Sequence, residues 1–142
     1  MADTVTRFNN RVDDYKKFRP SYPAEILEPI KQIGLTSDSK LADVGSGTGI
    51  FTSILLKSGC QVFAVEPNDL FRESSELNLS QYPNFKSVNG TGENTTLPPD
   101  SIDIITVAQA FHWFDIEKSR KEFIRILKKG DRNIFFNCNN SQ

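Results

Sequence analysis

The sequence predicts an α/β fold: a doubly wound, mainly parallel sheet of order 3-2-1-4-5 with helices on both faces. Three observations carry that expectation. Short apolar, often β-branched runs recur at 40–44, 61–65, 85–89, 102–107 and 134–137, and they alternate with stretches of helical period. Strands separated by helices cannot pair as hairpins, so they pair in parallel through right-handed crossovers. Finally, the first run passes through alternate glycines, Gly45, Gly47 and Gly49, into a helix. That turn lets a backbone approach a ligand closely beyond the C-terminal strand ends, at the switch between strands 1 and 4.

Each element has its own signal. Residues 9–18 read as a polar, partly aromatic helix, and the two prolines of Arg19-Pro20-Ser21-Tyr22-Pro23 force an extended connection. A helix follows with Ile26, Leu27, Ile30 and Ile33 in period and Gly34 as its stop; Pro29 should kink or divide it. After the strand at 40–44, a helix over 49–58 should bury Phe51, Ile54 and Leu55 and close at Gly59. The strand at 61–65 leads to a mostly polar helix over 68–79, capped by Asn68 or Asp69. A short strand at 85–89, a turn at Pro98-Pro99-Asp100 and the β-branched run at 102–107 come next. Asp115 should cap a helix with Ile116, Phe123, Ile124 and Leu127 on one face, ending in Lys128, Lys129 and Gly130.

Composition narrows the function classes. The 142 residues fit one domain, 1–142, with 17 Lys and Arg against 18 Asp and Glu. A net charge of -1 offers no broad field for nucleic acid or anionic membrane. No segment approaches the roughly 20 apolar residues of a membrane span, and the N-terminus lacks the apolar core of a secretory signal, so a cytoplasmic location is expected. Cys60 and Cys138 have neither metal-ligand spacing nor a cluster of histidine partners, so buried free thiols and no metal site are expected.

The loop from Asp43 to Gly49 admits three chemistries. A phosphate-binding P-loop needs Lys and Ser or Thr after its last glycine, where Ile50 and Phe51 stand. A dinucleotide loop would want its third glycine at Ile50. S-adenosylmethionine carries no phosphate, and an acidic residue two before the first glycine suits its ammonium and sulfonium while repelling a diphosphate. Asp43 therefore favours S-adenosylmethionine. Glu66, followed by Pro67, ends the second strand 21 residues beyond Gly45, where a carboxylate can accept from both ribose hydroxyls. An NAD enzyme would share that feature.

At these residues the chain resembles the class I S-adenosylmethionine-dependent methyltransferases of Rossmann-like fold, close to methyltransferase type 11. Three further stretches resemble that family: Gly90-Thr91-Gly92-Glu93 with Leu97-Pro98, the run Ala108-Gln109-Ala110-Phe111-His112-Trp113-Phe114, and the segment 123–130. The resemblance spans roughly residues 8–136. It implies a cofactor site of Asp43, Gly45, Ser46, Gly47, Thr48, Gly49, Glu66, Pro67, Thr91, Gly92, Glu93, Gln109 and Ala110. Thr91 stands where the family usually has Asp, so backbone contact at Gly92 is the better expectation for adenine.

The resemblance also implies a cap over residues 1–22 and an acceptor side of Tyr15, Arg19, Tyr22, Phe111, His112 and Trp113. Trp113 and Phe114 can equally be core residues. No catalytic residue is assigned; His112, the only histidine, is a candidate proton acceptor. The implied reaction is in-line methyl transfer to a small-molecule acceptor. An NAD-dependent oxidoreductase and a non-catalytic cofactor-binding module are the alternatives. Family members continue past the fifth strand into a helix and an antiparallel hairpin, so the C-terminal part of the fold is expected to be missing. A bare sheet edge would permit self-association.

Overall fold

A computed structural model describes residues 27–107, 115–129 and 134–136. The expected helix at 9–18, the proline connection, the 108–114 run and Cys138 lie outside the described residues. In chain order the elements are α1 (Leu27–Gln32), β1 (Lys40–Val44), α2 (Ile50–Leu56), β2 (Gln61–Val65), α3 (Asp69–Leu79), β3 (Phe85–Val88), β4 (Ile104–Val107), α4 (Ile116–Ile126) and β5 (Ile134–Phe136).

The five strands form one sheet in the order β3-β2-β1-β4-β5. Every adjacent pair is parallel, as the crossovers require. β1 is central, with Val44 level with Val65 on one side and Val107 on the other. Chain direction across the sheet reverses at β1 and β4, which opens a crevice beyond their C-terminal ends.

Alternation along each strand divides the core between the two faces. Leu41, Val62 and Ile104 pack with Ile30 of α1, Phe51, Ile54 and Leu55 of α2, and Leu79 of α3. Val44, Val65, Ile105 and Val107 pack with Phe123 and Ile126 of α4. Both strand faces are buried, which explains the continuous apolar runs in the sequence.

Local chemistry sets the boundaries. The side chain of Asn68 accepts from the Phe71 amide at 3.0 Å and caps α3, so Asn68 rather than Asp69 is the cap. Asp115 caps α4 through the Lys118 amide at 3.0 Å. Pro29 does not divide α1. β4 begins two residues later than the β-branched run, because Ile102 is spent on an isolated bridge to Leu127.

α4 corrects the sequence reading. Ile116 and Ile124, expected on the buried face, are 59% and 52% exposed. The buried face is Ser119, Glu122, Phe123 and Ile126, an i, i+3, i+4, i+7 set that includes two polar residues. Reading apolar residues alone rotates the helix, because Glu122 belongs inside for its hydrogen bonds rather than its hydrophobicity. Ile126→Ala should cost about 2–5 kcal/mol, whereas Ile124→Ala should stay within about 0.5 kcal/mol. Urea unfolding of both variants measures this, and equal losses would restore the rejected face.

Candidate functional site

The glycine loop folds back onto the end of β2. Gly45, Gly47 and Gly49 have φ of 74°, 63° and 92°, left-handed values that a side chain would strain. This backbone lets the amides of Gly45 and Ser46 donate to the Val65 carbonyl at 2.8 and 3.2 Å, and Gly49 to Ser46 at 3.1 Å. Gly49 serves packing as well. A Cβ there would stand 2.8 Å from Leu79 Cδ1 and 3.1 Å from Ser75 Cβ, so α3 could not lie so close.

Glu66 ties the two loops together. Its Oε1 accepts the Gly47 amide at 2.8 Å and its Oε2 accepts the Asn68 amide at 3.0 Å. A carboxylate offers about four lone-pair positions, so both oxygens keep capacity for a further donor. Burial is the main reason its carboxyl lies above the usual range, and the two amides oppose that shift. The Arg72 guanidinium also opposes it, while holding Asp69 at 2.5 Å and the carbonyls of Glu66 and Pro67 at 3.1 and 3.4 Å.

Asp43 lies beneath the loop, fully buried. Its Oδ2 accepts from the Thr52 hydroxyl of α2 at 2.6 Å, and its Oδ1 from the Thr106 hydroxyl of β4 at 2.9 Å. Thr106 is its register partner across the β1–β4 pair, and the side chains emerge on the face that carries α2. Desolvation pushes the Asp43 carboxyl up to about 6, against the pull of the two hydroxyls and with a further push from Glu66. At neutral pH Asp43 is therefore an anion whose oxygens are both engaged within the protein.

Two loop hydroxyls remain. Ser46 Oγ and Thr48 Oγ1 are buried with no hydrogen-bond partner, in residues only 9% and 8% exposed. A buried hydroxyl without a partner costs about 1–3 kcal/mol, so these two atoms call for a polar ligand group. Across β2, the loop after β3 brings Thr91, Gly92 and Glu93 to the same end of the sheet. Thr91 and Asn94 exchange amide-to-carbonyl bonds at 2.9 and 3.2 Å, and Glu93 Oε2 accepts the Asp115 amide at 2.8 Å. That interaction turns the Glu93 carboxylate toward the start of α4.

Asp43, Gly45, Ser46, Gly47, Thr48, Gly49, Glu66 and Pro67 thus gather at the C-terminal ends of β1 and β2, with Thr91, Gly92 and Glu93 following β3. Tyr15, Arg19, Tyr22, Gln109, Ala110, Phe111, His112 and Trp113 lie outside the described residues. Sequence reasoning missed Thr52 and Thr106, the partners of Asp43. A Thr nine residues past an acidic strand end, and a Thr inside an otherwise apolar strand, were the available signals. Among the described residues no acidic, His or Cys cluster could hold a metal, and no helix is long and apolar enough to cross a membrane. A cleft of about 370 Å³, lined by Lys40, Gln61 and Asn84 among others, opens at the opposite strand ends, away from this chemistry.

Comparison with known proteins points the same way. The model of a family described as a methyltransferase domain matches residues 42–135. An uncharacterized methyltransferase of Mycobacterium tuberculosis is 32% identical over 130 residues, 92% of this chain and 51% of that protein. A Saccharomyces cerevisiae protein named a probable S-adenosylmethionine-dependent methyltransferase is 28% identical over 120 residues, 80% of this chain and 40% of its own. The chain spans about half the length of the curated relatives it matches. Among solved structures, a candidate S-adenosyl-L-methionine-dependent methyltransferase of Methanococcus maripaludis superposes with a TM-score of 0.76 at 25% identity. The match covers 89% of this chain and 61% of that one.

The buried Asp43 sets a pH dependence. Its carboxyl moves from 3.8 to about 6, so the folded chain binds the proton more tightly than the unfolded chain. The associated stability is fully present below about pH 4 and is lost as pH rises through 6, up to about 3 kcal/mol by linkage. Asp43→Asn removes this slope. Urea unfolding at pH 4, 5, 6 and 7 should show the native chain losing stability relative to Asp43→Asn, and parallel profiles would refute it.

Proposed function

The chain belongs to the class I S-adenosylmethionine-dependent methyltransferase family, and from that premise we propose that it binds S-adenosylmethionine beyond β1, β2 and β3 and methylates a small-molecule acceptor. The observation that carries the reading is the pairing, at one glycine loop, of two buried carboxylates, Asp43 and Glu66, with the partnerless hydroxyls of Ser46 and Thr48. Two anions at a loop repel a diphosphate and attract a ligand bearing a sulfonium and an ammonium. The residues present therefore fit this cofactor.

Each group has a part. The spare lone pairs of Glu66 receive the ribose hydroxyls, and Pro67 follows it at the strand end. Ser46 and Thr48 meet the amino-acid end, with Gly45, Gly47 and Gly49 keeping the backbone close. Asp43, its oxygens already taken, acts on the cofactor's positive charge through its field. The backbone of Thr91, Gly92 and Glu93 borders the adenine. On the family resemblance, Gln109 and Ala110 line the methionine side. The same resemblance assigns the acceptor side and cap to Phe111, His112, Trp113, Tyr15, Arg19 and Tyr22.

When bound, S-adenosylmethionine supplies a methyl group already activated for displacement. What remains for the chain is to hold the acceptor in line, keep water out and match a reaction in which positive charge is lost. No base is required for a good nucleophile, so His112 stays a secondary candidate. The near-neutral charge and the absence of a spanning helix among the described residues support a small acceptor and a cytoplasmic setting. Any self-association would run through an edge of the sheet, β3 or β5 among the described strands.

Calorimetry tests the reading. S-adenosylhomocysteine should bind and NAD should not; binding of NAD alone would overturn it in favour of an oxidoreductase. Glu66→Ala should weaken S-adenosylhomocysteine by about 1–3 kcal/mol. Gly47→Val, a β-branched residue forced to φ 63°, should lose binding. Binding without methyl transfer across an acceptor panel would identify a cofactor-binding module instead.

A further inference from the structure

The connection from β3 to β4 has no regular structure between Val88 and Ile102, yet the segment from Gly90 to Leu97 is held at many points. Glu122, from the buried face of α4, accepts both the Thr95 amide at 2.9 Å and the Thr95 hydroxyl at 2.7 Å. Arg125, one turn on, donates to both Glu122 oxygens at 2.9 and 2.7 Å and to the Leu97 carbonyl at 2.7 Å. Thr95 Oγ1 in turn accepts the Leu97 amide at 3.2 Å. The segment is therefore gripped on both sides of Thr96.

Thr96 is strained. Its φ is 66°, a left-handed value that is a genuine outlier for a β-branched residue. Strain of this kind persists only where the surroundings over-determine it. Gly90 shows the same tight closure, since a Cβ there would stand 2.7 Å from the Thr95 carbonyl oxygen. Burial of Leu97 alone would anchor the chain without dictating this backbone. The Arg125 hydrogen bond holds the Glu122 carboxyl down at about 2, so the gripping anion persists across ordinary pH.

We infer that Glu122 and Arg125 are positioning residues for adenine recognition: through Thr95 and Leu97 they hold the Gly90–Leu97 segment in the shape that presents the Thr91–Glu93 backbone to the base. This rests on the cofactor reading above. Neither side chain touches the ligand. Their effect is on which base the segment accepts, because a loosened backbone loses a fixed pattern of donors and acceptors before it loses bulk affinity.

The test compares S-adenosylhomocysteine with S-inosylhomocysteine, in which an oxo group replaces the 6-amino group and N1 carries a proton, so that donor and acceptor are exchanged on that edge of the base. Calorimetry on the full chain and on Glu122→Gln gives the ratio of the two affinities, with urea unfolding confirming a folded variant. The native chain should prefer the adenosine compound, and Glu122→Gln should shrink that preference about tenfold, the scale of one charge-assisted hydrogen bond. Equal weakening of both compounds, or no change, would overturn the inference, since a merely structural role moves both together. If Glu122→Gln does not fold, Arg125→Gln, which leaves the Glu122–Thr95 bonds in place, takes the same readout. A native chain that binds neither compound overturns the cofactor reading and this inference with it; normal native binding with an unchanged ratio overturns this inference alone.

Discussion

A carboxylate buried in the middle of a parallel sheet is the constraint on which this architecture turns. Asp43 has no access to water, so its charge must be met by protein groups or be lost to protonation. Thr52 from α2 and Thr106 from β4 meet it. Those two hydroxyls tie the end of β1 to α2 on one face of the sheet and to its neighbour β4. The glycine loop begins two residues later, and its path is inherited from that arrangement.

Much of the fold could be read from the chain because a two-sided parallel sheet writes continuous apolar runs. β1 and β2 have the expected bounds, and the strand order follows from crossover geometry. α4 could not be read in the same way. Its inward face is chosen partly by Glu122, which accepts from Thr95, 27 residues earlier in the chain, a pairing that local periodicity cannot express. The site divides likewise. The glycines and Glu66 announce themselves by spacing, whereas the threonines that hold Asp43 look like ordinary strand and helix residues.

Two kinds of buried acid coexist within a few residues of the same crevice. Glu122 is stabilised as an anion by Arg125, contributing stability that is present above its ordinary titration range and lost as pH falls toward 2. Asp43 is penalised as an anion and has no cation beside it in its hydrogen-bond set. Hydroxyls alone, without a cation, leave the Asp43 anion costlier than one paired with a guanidinium. A positively charged ligand above the loop would relieve that cost, which links the stability of the sheet to occupancy of the crevice.

The glycine loop has the outline of a phosphate cradle but not its availability. In an anion-binding loop the backbone amides point outward and wait for the ligand's oxygens. Here the amides of Gly45, Ser46, Gly47 and Gly49 are already donated to Val65, Glu66 and Ser46. A phosphate arriving at this loop would find these four donors spent and carboxylates nearby. Selectivity against phosphate-bearing nucleotides would then begin with hydrogen bonds the protein makes with itself, before any competition for the site.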